Sequence, residues 1–159
     1  SSYNAPLSWS HYASGHRGFC VEYDLRRLDF ASNNPELVLL DVTYSNKLPD
    51  VCVSEVLFSP HQVMPRLLAT KTIDWAYEQE LRIIHFTYKG GKIDMPKGLR
   101  VASLSGGASI SRAHLKLLCT AGQELDVPVY KMVKNDSSSS DQLWFRDRVD
   151  SPTSGHICG

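Results

Sequence analysis

Five side chains with chemical potential crowd into Lys71-Thr72-Ile73-Asp74-Trp75-Ala76-Tyr77-Glu78-Gln79-Glu80-Leu81-Arg82: Lys71, Trp75, Glu78, Glu80 and Arg82. Lys71, Trp75 and Glu78 have i, i+4, i+7 spacing, which places them on one face of a helix. Glu78 and Glu80 are two apart and share a face only on an extended backbone. A strand beginning near Glu78 would line up Glu78, Glu80, Arg82 and Ile84 on one side. Two carboxylates beside a guanidinium have opposing influences on their pKa values, since like charge raises one and the cation lowers both. Such a pair can divide acid and base roles. The same residues also suit an ion-paired strand entrance with no chemistry.

Other candidates stand apart from this cluster. His11 and His16 flank a turn with Gly15 and Gly18, next to Tyr12 and Arg17. An imidazole there could polarise or deprotonate a substrate near neutral pH. Glu22 and Asp24 share a strand face and, with Glu78 or Glu80 and Lys71, would suit a metal-dependent nuclease. The usual Asp…Glu-x-Lys order of such enzymes is absent. Ser105-Gly106-Gly107 between a strand and a helix start could offer amides to an anion. Cys20, Cys52, Cys119 and Cys158 form no C-x-x-C pair, so no metal ligand set is assigned. Cys20 and Cys119 sit in apolar patterns and read as small core residues. A reducing cytoplasm is the expected setting. There is no P-loop, no G-x-G-x-x-G and no G-x-S-x-G.

Several elements must position these groups. A short helix is expected at 8–13, with Trp9, Tyr12 and Ala13 on one face, and a strand at 19–23. An apolar strand follows at 37–44. Ser59-Pro60 opens a helix expected to run past Leu67 and Lys71 towards Trp75. Strands are expected at 81–88, 92–95, 99–104, 127–133 and 143–149. A helix over 111–121 is expected to close at Gly122. This order is neither regularly alternating nor all-β. It implies an α+β fold with a mixed, mostly antiparallel sheet and two main helices. Residues 1–150 are expected to form a single domain. The Ser-rich stretch 135–141 is expected to be a mobile loop and 151–159 a disordered tail.

The totals narrow the function classes. Lys and Arg number 17 and Asp and Glu number 17 in 159 residues. That balance gives no strong nucleic-acid signature. No apolar run approaches 18 residues, so no membrane span is expected.

The order of the motifs adds one more reading. Trp9-Ser10-His11-Tyr12-Ala13, then His16-Arg17-Gly18-Phe19-Cys20, then Val42-Thr43-Tyr44, then Lys71-x3-Trp75-x2-Glu78-x-Glu80-x-Arg82 together resemble a bacterial family known as a domain of unknown function, number twenty-nine seventy-one. The resemblance runs over roughly residues 8 to 149. It implies a bacterial cytoplasmic protein with no assigned reaction. The family pattern carries an earlier section, so this chain is expected to lack an N-terminal part of the domain. Glu-x-Glu entering a strand is also similar to the acidic motif of ADP-ribosyltransferases. That analogy implies NAD as the cofactor, Glu80 stabilising an oxocarbenium-like transition state and Glu78 assisting.

The candidate catalytic residues are therefore Glu80, Glu78 and His11. The candidate ligand-binding residues are His16, Arg82, Trp75, Lys71 and Tyr44. The expected function is handling of a nucleotide or NAD, with an unidentified small molecule or nucleotide as partner. A non-catalytic binding or regulatory domain with a structural charge network is the alternative, and a metal-dependent nuclease a further one.

Overall fold

The computed structural model describes residues 5–30, 35–85, 90–92, 94–134 and 144–149. The elements run α1 (Pro6–Tyr12), β1 (Phe19–Asp24), β2 (Leu37–Asp41), β3 (Thr43–Tyr44), α2 (Val53–Phe58), α3 (Pro60–Leu68), β4 (Thr70–Lys71), a 3₁₀ turn (Ile73–Glu78), β5 (Leu81–His85), β6 (Arg100–Gly106), α4 (Arg112–Leu125), β7 (Val129–Lys134) and β8 (Trp144–Arg148). This is the α+β composition that the sequence pattern implies. The expected continuation of β5 over 86–88, the Ser-rich loop 135–141 and the tail 151–159 lie outside the described residues. No strand forms at 94–95.

The chain divides into two compact units. One comprises Ser1–Ser2 and Asp29–Lys97, and the other Tyr3–Leu28 and Gly98–Gly159.

The second unit is built on a four-stranded sheet in the order β1-β6-β7-β8. β1 and β6 are antiparallel, β6 and β7 parallel, and β7 and β8 antiparallel. α4 is the crossover that the parallel β6–β7 pair requires. Its buried residues Leu118 and Cys119 join Leu104, Ile110, Val129 and Val149 in one core cluster. Trp9 and Ala13 form a second cluster with Met132. Val129 and Met132 are three apart on β7, so the two clusters occupy opposite faces of the sheet.

Local chemistry explains where sequence expectation and structure part. α1 begins at Pro6, a residue suited to the first helical position, rather than being capped by Ser8. Tyr12 is exposed instead of sharing the buried face of Trp9. α4 continues past Gly122 to Leu125 and ends on Asp126 in a left-handed conformation, φ 53°. Gly122 is a packing residue, because a Cβ there would meet the Val129 side chain. Cys119 is a buried core residue, as its apolar pattern implies, and is also disulfide-bonded. Cys20 is an exposed free thiol rather than a core residue.

The first unit holds an antiparallel pair, β2 with β5, and a short parallel pair, β3 with β4. Asp41 lies opposite Leu81 and Leu40 opposite Arg82. α3 ends at Leu68, well before Trp75. Thr70 donates its hydroxyl to the Arg66 carbonyl at 2.6 Å, a local bond that competes with helix propagation. The β-branched residues Thr70, Thr72 and Ile73 reinforce that stop.

Candidate functional site

The residues of the 71–82 cluster come together, but on a different backbone from the helix expected. Lys71 is on β4, Trp75 and Glu78 are in the 3₁₀ turn, and Arg82 is on β5. β3 brings Tyr44 beside Lys71 through the parallel register Tyr44 to Lys71. The Ser45 N–H donates to the Lys71 carbonyl at 2.9 Å, and the Val42 N–H to the Glu80 carbonyl at 3.1 Å. These bonds tie strand entrance, turn and β3 into one frame.

Gln79 is the device that aims the two carboxylates. It adopts a left-handed conformation, φ 45°, as the cap of the 3₁₀ turn. The expectation that Glu78 and Glu80 cooperate only on an extended strand is thus corrected. Glu78 ends the turn, Glu80 precedes the strand, and the reversal at Gln79 lets both reach the same ammonium. Lys71 Nζ donates to Glu78 Oε2 and lies 3.4 Å from Glu80 Oε2.

Arg82 completes the arrangement. Its Nε donates to Glu80 Oε1 at 2.6 Å and its Nη2 to Glu80 Oε2 at 3.1 Å. Its Nη1 donates to the Leu68 carbonyl, which caps the end of α3. Tyr44 accepts the Glu80 N–H on its phenolic oxygen at 2.8 Å. The Lys71 ammonium also sits over the Trp75 ring, 4.7 Å from its centroid, close enough for a cation–π contact. Trp75 in turn packs on Tyr77 with ring centroids 6.0 Å apart.

The electrostatics follow from these partners. Glu78 is buried, with 6% of its surface exposed. The Glu80 side chain keeps 30% exposure. The Arg82 guanidinium, helped by Lys71, holds the Glu80 carboxyl below its ordinary range, with desolvation acting the other way. Glu80 correspondingly raises Arg82. Two carboxylates and two cations form a clamp of zero net charge.

His11 and His16 belong to the other compact unit. His11 lies in the last turn of α1 with its ring edge-on to Tyr12, centroids 6.4 Å apart. His16 occupies a left-handed position, φ 65°. Its backbone N–H donates to the Trp9 carbonyl at 3.2 Å and its carbonyl accepts from the Ser109 N–H at 2.9 Å. The Gly107 N–H donates to the Gly18 carbonyl at 2.9 Å. The Gly107 and Ser109 amides of the turn considered as an anion cradle are therefore spent on the turn after α1.

Glu22 also has a different role from metal ligation. Ser103 donates its hydroxyl to Glu22 Oε2 at 2.6 Å, and Arg146 Nη1 reaches the same oxygen at 2.8 Å. These two partners, Ser103 first, lower the Glu22 pKa. Arg146 also stacks over the Tyr130 ring at 4.3 Å. Asp24 is bound by Arg26 at 2.8 Å. Among the described residues no group of three or more His, Cys, Asp or Glu is arranged to hold a metal ion. Nor is any described helix long and apolar enough to cross a membrane. The Glu22–Arg146 network was invisible in sequence, since its members are up to 124 positions apart.

Fold and site together define an α+β protein with a charge clamp at a strand entrance. Residues 8–83 match a family model described as "Protein of unknown function (DUF2971)". Over that stretch the chain is similar to this family. The match ends one residue after Arg82, short of the residue 149 to which the resemblance was read, and it includes every member of the clamp. No curated protein and no solved structure matches the chain.

Proposed function

We propose that the chain is a ligand-binding or regulatory domain in which Lys71, Glu78, Glu80 and Arg82 form a structural clamp. The carrying observation is that both oxygens of Glu80 are engaged, Oε1 by Arg82 and Oε2 by Arg82 and Lys71. A carboxyl held ionised by a paired guanidinium is a poor proton donor near neutral pH. Its partners are also those that rigidify a backbone, since Tyr44 fixes the Glu80 N–H and Arg82 fixes the end of α3. A small molecule or nucleotide is the proposed partner, and the disulfide at Cys119 removes the free-thiol argument for a reducing cytoplasm.

A second reading, NAD handling of the ADP-ribosyltransferase kind, is favoured by a different observation. Glu80 is ionised and partly exposed, and it shares Lys71 with Glu78 beside the Trp75 ring. An ionised carboxylate suits stabilisation of a developing positive charge on a ribose. In that reading Glu80 is the catalytic residue, Glu78 assists, and Lys71, Arg82, Trp75 and Tyr44 contact the ligand. The metal-dependent nuclease has no comparable support, because Glu22 is committed to Ser103 and Arg146.

One experiment separates the first two readings. The full chain and its Glu80→Gln variant are incubated with NAD, nicotinamide release is followed, and thermal unfolding is recorded. The clamp reading expects no release above background from either protein and a melting temperature lowered by a few degrees in the variant. Release by the native chain that the variant loses would replace it with the NAD reading.

A further inference from the structure

We infer that a cavity along α4, in the second unit, binds a small amphiphile with an anionic head and an apolar body. The cavity measures about 680 Å³. Sites for drug-sized ligands span roughly 300–1,000 Å³. One wall is the stripe of α4 carrying His114, Leu117, Leu118, Ala121 and Leu125, whose spacing of three and four places them on one face. The facing wall is the turn after α1, with Ser14, Arg17 and Phe19. That wall is fixed, because Gly18 and His16 accept backbone bonds from Gly107 and Ser109.

The lining is polar at one end only. Ser109, Ser111 and His114 cluster at the start of α4, and Arg17 is on the turn docked there. From Leu117 onward every α4 residue lining the cavity is apolar. At 1.5 Å per residue, Leu125 lies about 16 Å along the helix from His114. The charge at the polar end is not offset locally. Arg17 makes one side-chain hydrogen bond among the described residues, from Nε to the Ser14 carbonyl at 3.1 Å. Neither Arg17 nor His114 is ion-paired with a carboxylate among the described residues. Among the lining residues Leu117 is 68% and Phe19 60% exposed, surface that an apolar body would cover. A guanidinium and an imidazole above an apolar slot select an anion carrying a hydrocarbon portion. This site stands whether the Glu80 clamp is structural or catalytic.

Carboxylate and phosphate heads share this chemistry, and titration calorimetry of the full chain distinguishes them. Decanoate, decyl phosphate and decanol are each titrated below the concentration at which they aggregate. At least one anion is expected to bind saturably and about tenfold or more tighter than decanol, the scale of one charge-assisted contact. The tighter anion names the head group. Arg17→Gln should remove the preference over decanol. Leu117→Glu should abolish anion binding while leaving the melting temperature nearly unchanged, because Leu117 is already exposed. Anions that bind no tighter than decanol overturn the inference, and so does unchanged binding in Leu117→Glu. If Arg17→Gln does not fold, Leu117→Glu carries the test alone.

Discussion

The backbone N–H of Glu80 donates to the phenolic oxygen of Tyr44, 2.8 Å away and 36 positions earlier in the chain. Tyr44 thereby fixes the peptide that aims the Glu80 carboxylate. Replacing it with Phe keeps the ring and removes the acceptor. A partly buried donor left without its partner costs about 1 kcal/mol. Urea unfolding of Tyr44→Phe should show that loss at an unchanged m-value.

Acid should weaken the clamp in a defined direction. Glu80 has a folded-state pKa below the ordinary 4.5. Its contribution is complete above that unfolded value and is lost as pH falls through the folded one. Between neutrality and about pH 3, the native chain should therefore lose more stability than Glu80→Gln. Parallel acid-limb denaturation curves for the two proteins would contradict this.

Gly122→Ala sets two effects against each other. Alanine favours a helix interior by about 1 kcal/mol over glycine. The added Cβ, however, meets Val129, which has 0% exposure and no room to yield. Overpacking of this kind costs about 1–3 kcal/mol. The variant should be less stable by about 1 kcal/mol, as read from its chemical-denaturation midpoint.

Asp126→Gly should stabilise. Asp126 sits at φ 53° just past α4, where glycine escapes the left-handed penalty of about 1–2 kcal/mol. The substitution also removes a negative charge from the negative end of the helix dipole. Glycine costs about 0.5–1 kcal/mol more in unfolded-state entropy. The net gain should be about 0.5–1 kcal/mol, visible as a raised melting temperature.

These sites also show what a linear reading reaches. Lys71, Trp75 and Glu78 were grouped by helical spacing, and they do meet, because a 3₁₀ turn preceded by a short strand returns the same side chains to one place. α2 left no trace in the pattern. It buries none of its residues, so no amphipathic stripe marks it, and its N-terminus is held by the Cys52 N–H donating to Glu55 at 3.0 Å. Cysteine is not a residue that signals a cap. Gln79 takes a left-handed conformation that glutamine does not advertise, and Asp126, a residue that tolerates one, follows the stronger stop signal of Gly122, so the turn at Glu78 and the end of α4 were misplaced. The Glu22–Ser103–Arg146 network depends on strand order, and strand order is set by tertiary contacts rather than by neighbours in sequence.

The neutrality of the clamp has a kinetic meaning. A site with two carboxylates and two cations in contact casts almost no field beyond a Debye length, about 8 Å at physiological salt. An approaching ion is neither drawn in nor turned away. A charged ligand gains a foothold only by taking Lys71 or Arg82 from a carboxylate that already holds it. Capture at this end of β5 is then an exchange of partners, with a rate that hardly responds to ionic strength.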